Sequence, residues 1–200
     1  ALSDISDFDN VSKHIFFSLV SKKMNKERIK DIPHKEIEDL VKIYQVATRI
    51  DKDGVASLTI SNEMINKWNV DINTVDNIAN NNTPALFPFT LKGMSELINE
   101  LLLGINKDDQ ENRELFSDEY EGSKKMYVLS NKIGISGASS ILYKDVLKNF
   151  ATQVNANLYI LPSSIHEVII IPDTYRLNVS DMREMVADVN QSVVNVGEVL

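Results

Sequence analysis

The chain has no cysteine among its 200 residues. That removes disulfide scaffolds, thiolate zinc sites, iron–sulfur clusters and cysteine nucleophiles. It has no apolar run near the roughly 20 residues that carry a helix across a bilayer, so no membrane partner is expected. Basic residues are in deficit, 21 against 29 acidic, for a formal charge of −8. No basic stretch interleaves with aromatics, so no nucleic-acid partner is expected either. Glycine is scarce at seven residues, which makes Gly134 and Gly137 conspicuous neighbours. What is present is ordinary: 43% hydrophobic and 25% charged residues, the composition of one globular domain or two small ones. The opening ALSDISDFDN is polar and acidic, without the basic and apolar regions of a secretory signal.

Patterning predicts an α+β fold, with helices packed on a mainly antiparallel sheet of about five strands. Ile15, Phe16, Leu19 and Val20 are spaced for one face of a helix within 10–32, and the KKMNKERIK run after them reads as a solvated helical face. His34 to Val41 is expected to form a short helix or lead-in after Pro33. From Ile43 the period falls to two, with Tyr44, Val46, Thr48 and Ile50 on one face. Alternation resumes at Ala56, Leu58 and Ile60 after Asp51-Lys52-Asp53-Gly54, predicting a β-hairpin. Ser61 and Asp71 are placed as N-caps of two helices, the first burying Met64, Ile65 and Trp68. The second carries Ile72, Val75, Ile78 and Ala79, and is expected to end at Asn80–Asn82 before Pro84. A loop through Pro88 then leads to a helix defined by Met94, Leu97, Ile98, Leu101 and Leu102 and stopped by Gly104.

Residues 105–125 are charge-rich and read as a linker, dividing a region 1–104 from a unit 126–200, with a single domain overall as the alternative. Much of the acid lies there, in Asp108, Asp109, Glu111, Glu114, Asp118, Glu119 and Glu121. The C-terminal order is β-α-β-β-α. A strand at Met126–Leu129 precedes a helix capped by Ser139 or Ser140 with Leu142, Val146, Leu147 and Phe150 on its apolar face. Strands at Leu158–Leu161 and Val168–Ile171 follow, then a helix capped by Ser180 and bearing Met182, Met185, Val186, Val189 and Val193.

The residues that carry chemistry are few. The block LPSSIHEVIIIP, 161–172, gathers Ser163, Ser164, His166 and Glu167, the types of a nucleophile, a base and an orienting acid. Adjacent strand residues face opposite ways, so His166 and Glu167 do not share a site without a bulge, whereas Ser164 and His166 share a face. No G-x-S-x-G elbow surrounds Ser163 or Ser164, and a hairpin turn explains the block equally. Gly134-Ile135-Ser136-Gly137 offers loop amides to a phosphate but lacks a Walker lysine and the dinucleotide spacing. Asp51-Lys52-Asp53-Gly54 lacks the further oxygen ligands of a calcium loop. His14, His34 and His166 stand too far apart to suggest a metal, and no cofactor is expected. Asn-x-Ser/Thr triplets such as those at Asn10, Asn81 and Asn178 carry little meaning in an Asn-rich chain.

Taken together, FDNVSKHIFFSLVSKKMNKERIKDIPHKEIEDLVKIY, SNEMINKWNV, MYVLSNK, GASSILYKDVL and above all LPSSIHEVIIIPD resemble one bacterial family catalogued as a domain of unknown function, found mainly in gut-type Firmicutes. The resemblance spans nearly the whole chain and is weakest over 105–125. It implies a cytoplasmic protein that continues upstream of Ala1, and it implies no activity and no site residues. The expectation is therefore a soluble, non-catalytic binding or interaction module with a protein partner. The alternative is a hydrolase or nucleotide-handling enzyme using Ser164 and His166 beside the Gly134–Gly137 loop. Oligomeric state is not legible.

Overall fold

Alternating and apolar runs between Ile15 and Thr59 become four strands: β1 (Ile15–Ser21), β2 (His34–Ile37), β3 (Leu40–Asp51) and β4 (Gly54–Thr59). They belong to a computed structural model that describes residues 5–51, 54–104, 126–174, 178, 180, 182–184, 186–187 and 194–200. β3 is long enough to pair antiparallel with β1 along one edge and with β2 and β4, end to end, along the other. The β3–β4 hairpin is the one that Asp-Gly spacing predicts, and Gly54 has a positive φ of 141°. Its ladder slips between Ala47 and Arg49, so the strict alternation expected through Ile50 breaks at a bulge.

The helix expected around Ile15–Val20 is instead β1. All six residues are buried. Ile15 and Phe17 enter the main core, while Phe16 and Val20 enter two smaller clusters on the opposite face. A strand covered on both sides loses the polar-apolar alternation that would reveal it. Likewise His34–Val41 is not helical. β2 turns into β3 through a tight hairpin pairing Ile37 with Leu40, and Glu38 takes the positive φ of 53° that the turn requires. The basic run before it yields only a 3-10 turn, Arg28–Lys30.

Five helices have both ends among the described residues: α1 (Phe8–Ser12), α2 (Asn62–Trp68), α3 (Ile72–Leu86), α4 (Met94–Gly104) and α5 (Val146–Val154). Ser61 and Asp71 cap α2 and α3 as expected, accepting from the amides of Met64 and Thr74. α3 runs past its asparagine run to Leu86 with Pro84 in the last turn. The Thr83 hydroxyl donates to the Ala79 carbonyl there at 2.6 Å. The loop expected through Pro88 contains another strand, β5 (Phe89–Gly93), before α4. The side chains of Leu101 and Leu102, and the whole of 105–125, lie outside the described residues.

β5 joins β6 (Tyr127–Asn131), β7 (Leu158–Pro162) and β8 (Val168–Pro172) in a second antiparallel sheet, ordered β5-β6-β8-β7. The fold class is α+β, and every strand expected in the C-terminal unit is present. Between β6 and α5 the single helix expected there is broken. Gly137–Leu142 is a 3-10 turn, and α5 starts afresh after Asp145 at φ 61°. After β8, residues 180, 182–184 and 186–187 are helical. Oδ1 of Asn178 accepts from the Ser180 amide there at 3.0 Å. Met185, Val189 and Val193 lie outside the described residues.

One core connects the two sheets. Ile15, Phe17, Tyr44 and Val46 from the first sheet meet Leu129, Val168 and Ile170 from the second, with Val75, Ala79, Tyr143 and Phe150 between them. Phe17 and Tyr143 stack edge-to-face at 6.2 Å, as do Tyr127 and Phe150 at 4.7 Å. The outward amides of β1 bond to side chains rather than to a further strand. Phe17 N–H donates to Thr83 Oγ1 at 3.0 Å and Leu19 N–H to Ser139 Oγ at 3.1 Å. Asn82 Nδ2 donates to the Ile15 carbonyl at 2.9 Å.

Candidate functional site

Both loops singled out in the sequence meet at one place. Between β7 and β8, the segment 163–167 folds back on the segment 130–138, which runs from the end of β6. Ala138 N–H donates to the Ile165 carbonyl at 3.2 Å, and Ser130 Oγ donates to the His166 carbonyl at 2.8 Å. Close approach demands glycine at 137. A Cβ there would run into Ser130 Oγ, the His166 carbonyl oxygen and the Asn131 amide. Asn131 holds the other end of its loop, its side chain donating to the Ile135 carbonyl and accepting from the Ile133 and Gly134 amides.

Ser164, His166 and the Gly134–Gly137 loop therefore converge, but not as nucleophile and base. Ser164 is buried, its hydroxyl donates to Glu167 Oε1 at 2.8 Å, and it accepts the His166 amide at 3.0 Å. Ser163 lies 3.4 Å from the same carboxylate oxygen. The His166 ring turns elsewhere. Its Nδ1 accepts the Ser136 amide at 3.3 Å, and its Nε2 lies 3.4 Å from Glu198 Oε1 near the C-terminus. A backbone N–H only donates, so Nδ1 carries the lone pair, and the neutral ring directs its proton at Glu198. The Glu198 carboxyl is held below its usual range by hydrogen bonds from Asn195 and then from His166. The Ile165 amide ties the same residue in by donating to the Glu198 carbonyl at 2.8 Å.

Ser136 pays for this arrangement in backbone conformation. It sits in the left-handed region at φ 52°, ψ 27°, ahead of the 3-10 turn, and its side chain makes no cap. Such a conformation costs a β-carbon residue roughly 1 kcal/mol or more. The Ser136 amide is committed to His166, the Gly134 amide to Asn131 and the Ala138 amide to Ile165, so three amides of this loop are bonded within the fold.

Ser136 and Ile135 form one wall of a small cleft whose other sides are Phe16, Gln45, Val55, Ser57 and Phe87. Its volume is about 40 Å³, room for about three water molecules. Phe16 and Phe87 pack edge-to-face at 4.9 Å in its lining. A relay of hydrogen bonds fixes the polar side, Ser57 Oγ donating to Gln45 Oε1 at 2.5 Å and Gln45 Nε2 to Ser18 Oγ at 2.7 Å.

A second polar cluster escaped sequence reading altogether. Asp76 on α3 is buried against the first sheet, where Lys42 and Tyr44 donate to its Oδ1 at 2.9 and 3.0 Å and Lys35 to its Oδ2 at 2.8 Å. Lys42 is itself buried and also donates to Asn80 Oδ1 at 2.8 Å, with its ammonium 4.5 Å above the Phe17 ring. Burial alone would raise the Asp76 pKa, but the bonds from Lys35 and Lys42, the charge of Lys42 and the Tyr44 hydroxyl together hold it at about 2. Burial first, and then the Asp76 charge, push the Tyr44 phenol well above its usual range. Every acceptor and ammonium here has a partner inside the fold, which makes the cluster a clamp between helix and sheet.

The remaining candidates stand apart. His34 Nδ1 pairs with the Ile32 carbonyl at 2.9 Å on β2, and His14 precedes β1. Asp51 pairs with Arg49 at 3.1 Å, and Lys52 and Asp53 lie outside the described residues. Among the described residues no helix is long and apolar enough to cross a membrane.

The sequence model of a family described as "Family of unknown function (DUF5688)" matches residues 1–200, the whole chain. The chain belongs to this family. Its membership agrees with the resemblance carried by the LPSSIHEVIIIPD block, and it assigns DUF5688 no activity. No curated protein and no solved structure matches the chain.

Proposed function

We propose that this chain is a non-catalytic binding module that takes a protein partner, working in the cytoplasm. The observation that carries this reading is the commitment of the catalytic-type side chains to holding loops together. The Ser164 hydroxyl is buried between Glu167 and the His166 amide, and His166 is shared between Ser136 and Glu198, with no bond between the serine oxygen and the imidazole. The cleft supports it in a second way. At about 40 Å³ it falls far below the roughly 300–1,000 Å³ of small-molecule sites. It suits one short aliphatic side chain of a partner, inserted between Phe16, Val55, Phe87 and Ile135.

A hydrolase using Ser164 and His166 is the second reading, favoured by one observation: both residues meet the Gly134–Gly137 loop at one place. A fluorophosphonate probe separates the two. On the module reading no serine is labelled at neutral pH, and a photo-cross-linking residue in place of Ser57 captures one protein at near-stoichiometric yield, with capture lost in Val55→Asp. Covalent labelling of Ser136 or Ser164 that disappears in His166→Ala overturns the reading.

A further inference from the structure

We propose that His166 is a pH-sensitive latch on the wall of the cleft, holding the Ser136 amide when the imidazole is neutral and releasing it when Nδ1 is protonated. The inference rests on the cleft being the binding surface, because Ser136 is part of its lining.

The chemistry follows from donors and acceptors. Ser136 N–H is a backbone donor, so its bond to Nδ1 exists only while that nitrogen keeps its lone pair. Protonation sets one donor against another at this point. On the far side of the ring the same event acts in the opposite sense, converting the Nε2–Glu198 contact at 3.4 Å into an ion pair. Acid therefore draws the imidazole toward Glu198 and away from Ser136.

The surroundings leave that exchange unopposed. Glu198, from the C-terminal turn, is the charged side chain bonded to the ring. Glu167, on the ring's own loop, is occupied by Ser164 and Ser163. The segment 130–138 brings hydroxyls and amides to His166 through Ser130 and Ser136, and its Lys132 is exposed. Release stays local. The bonds from Asn131 to Ile133, Gly134 and Ile135 do not titrate, and Ala138 stays tied to the Ile165 carbonyl. What the lost bond frees is the Ser136 amide, in a residue already in a left-handed conformation without a side-chain cap, while the Ser136 carbonyl keeps its bond from the Ser139 amide at 3.2 Å.

The test is amide exchange by NMR on the whole chain, without any partner, corrected for the intrinsic pH dependence of exchange. Between pH 8 and pH 5 the Ser136 amide should lose about fivefold of its protection, the worth of one neutral hydrogen bond. The midpoint should equal that of the His166 ring proton. Glu198→Gln removes the charge that favours the imidazolium and should move both midpoints to lower pH. His166→Gln should abolish the inflection. A Ser136 amide that stays flat while His166 titrates overturns the proposal, as does an inflection that survives in His166→Gln. If His166→Gln does not fold, the Glu198→Gln shift decides alone, and an unmoved midpoint overturns the latch. Because no partner is present, failure here leaves the cross-linking result standing, and failure of cross-linking leaves this result standing.

Discussion

Asp76 accepts three hydrogen bonds, from two ammonium groups and a phenol, in a place where water does not compete. Asp76→Ala would leave the Lys42 charge buried without its counter-ion, and should cost about 3–5 kcal/mol in urea unfolding. Lys35 is more than a third exposed at its side chain, so Lys35→Ala should cost no more than about 1 kcal/mol. The pH dependence has a definite sign. The folded pKa of Asp76 is lowered to about 2, against roughly 3.9 in an unfolded chain. Its contribution is complete above pH 4 and drains away as pH falls through 2. The stability gap between the protein and Asp76→Asn, on the order of 2 kcal/mol, should therefore close across that window in denaturation measured at successive pH values. None of this was legible in the sequence. Positions 35, 42, 44, 76 and 80 share no spacing until β2 and β3 are paired and α3 is laid across them. The Ser-Ser-Ile-His-Glu block was legible as an unusual grouping, but residue types alone did not reveal that its serine bonds to its glutamate and its histidine to a different loop.

Elements with clear alternation, short apolar runs or side-chain caps announced themselves, and three strands without those signals did not. β3, β4, β7 and β8 follow their alternation or their short apolar runs, and the Ser61 and Asp71 caps set α2 and α3 to the residue. β1 was hidden by its burial on both sides, β2 by its shortness, and β5 by the prolines at 84 and 88 that read as a loop. α3 outlasts Pro84 because the proline sits within the last turn, where only one intrahelical bond is forfeited. Packing between elements yields two further tests. Gly137→Ala places a methyl group against backbone atoms of β6 and of the His166 loop. It should cost about 3 kcal/mol, roughly 6–12 °C in melting temperature. Thr83→Val and Ser139→Ala each leave a β1 amide buried without an acceptor. Each should cost about 1–3 kcal/mol in urea unfolding, with faster exchange at Phe17 or Leu19 respectively.

Across the whole molecule, the first core cluster takes residues from both sides of 105–125, and it contains Trp68, the single tryptophan. Tryptophan fluorescence and far-ultraviolet circular dichroism should therefore report one coincident unfolding transition. Two separated transitions would favour independent units on either side of that segment. The α+β class followed from composition and patterning, whereas the division into two four-stranded sheets did not, because which strand pairs with which depends on contacts far apart in the chain. One such contact bears on how the protein is made. The Leu19 amide waits for the hydroxyl of Ser139, 120 residues downstream. β1 and β3 lie close enough in sequence to pair soon after emerging from the ribosome, while the serine that covers the rim of their sheet is still untranslated. At about 5–20 residues per second that interval is on the order of ten seconds. Throughout it a bare strand rim is open to mispairing with neighbouring nascent chains, and slower translation between these two points lengthens the exposure in proportion.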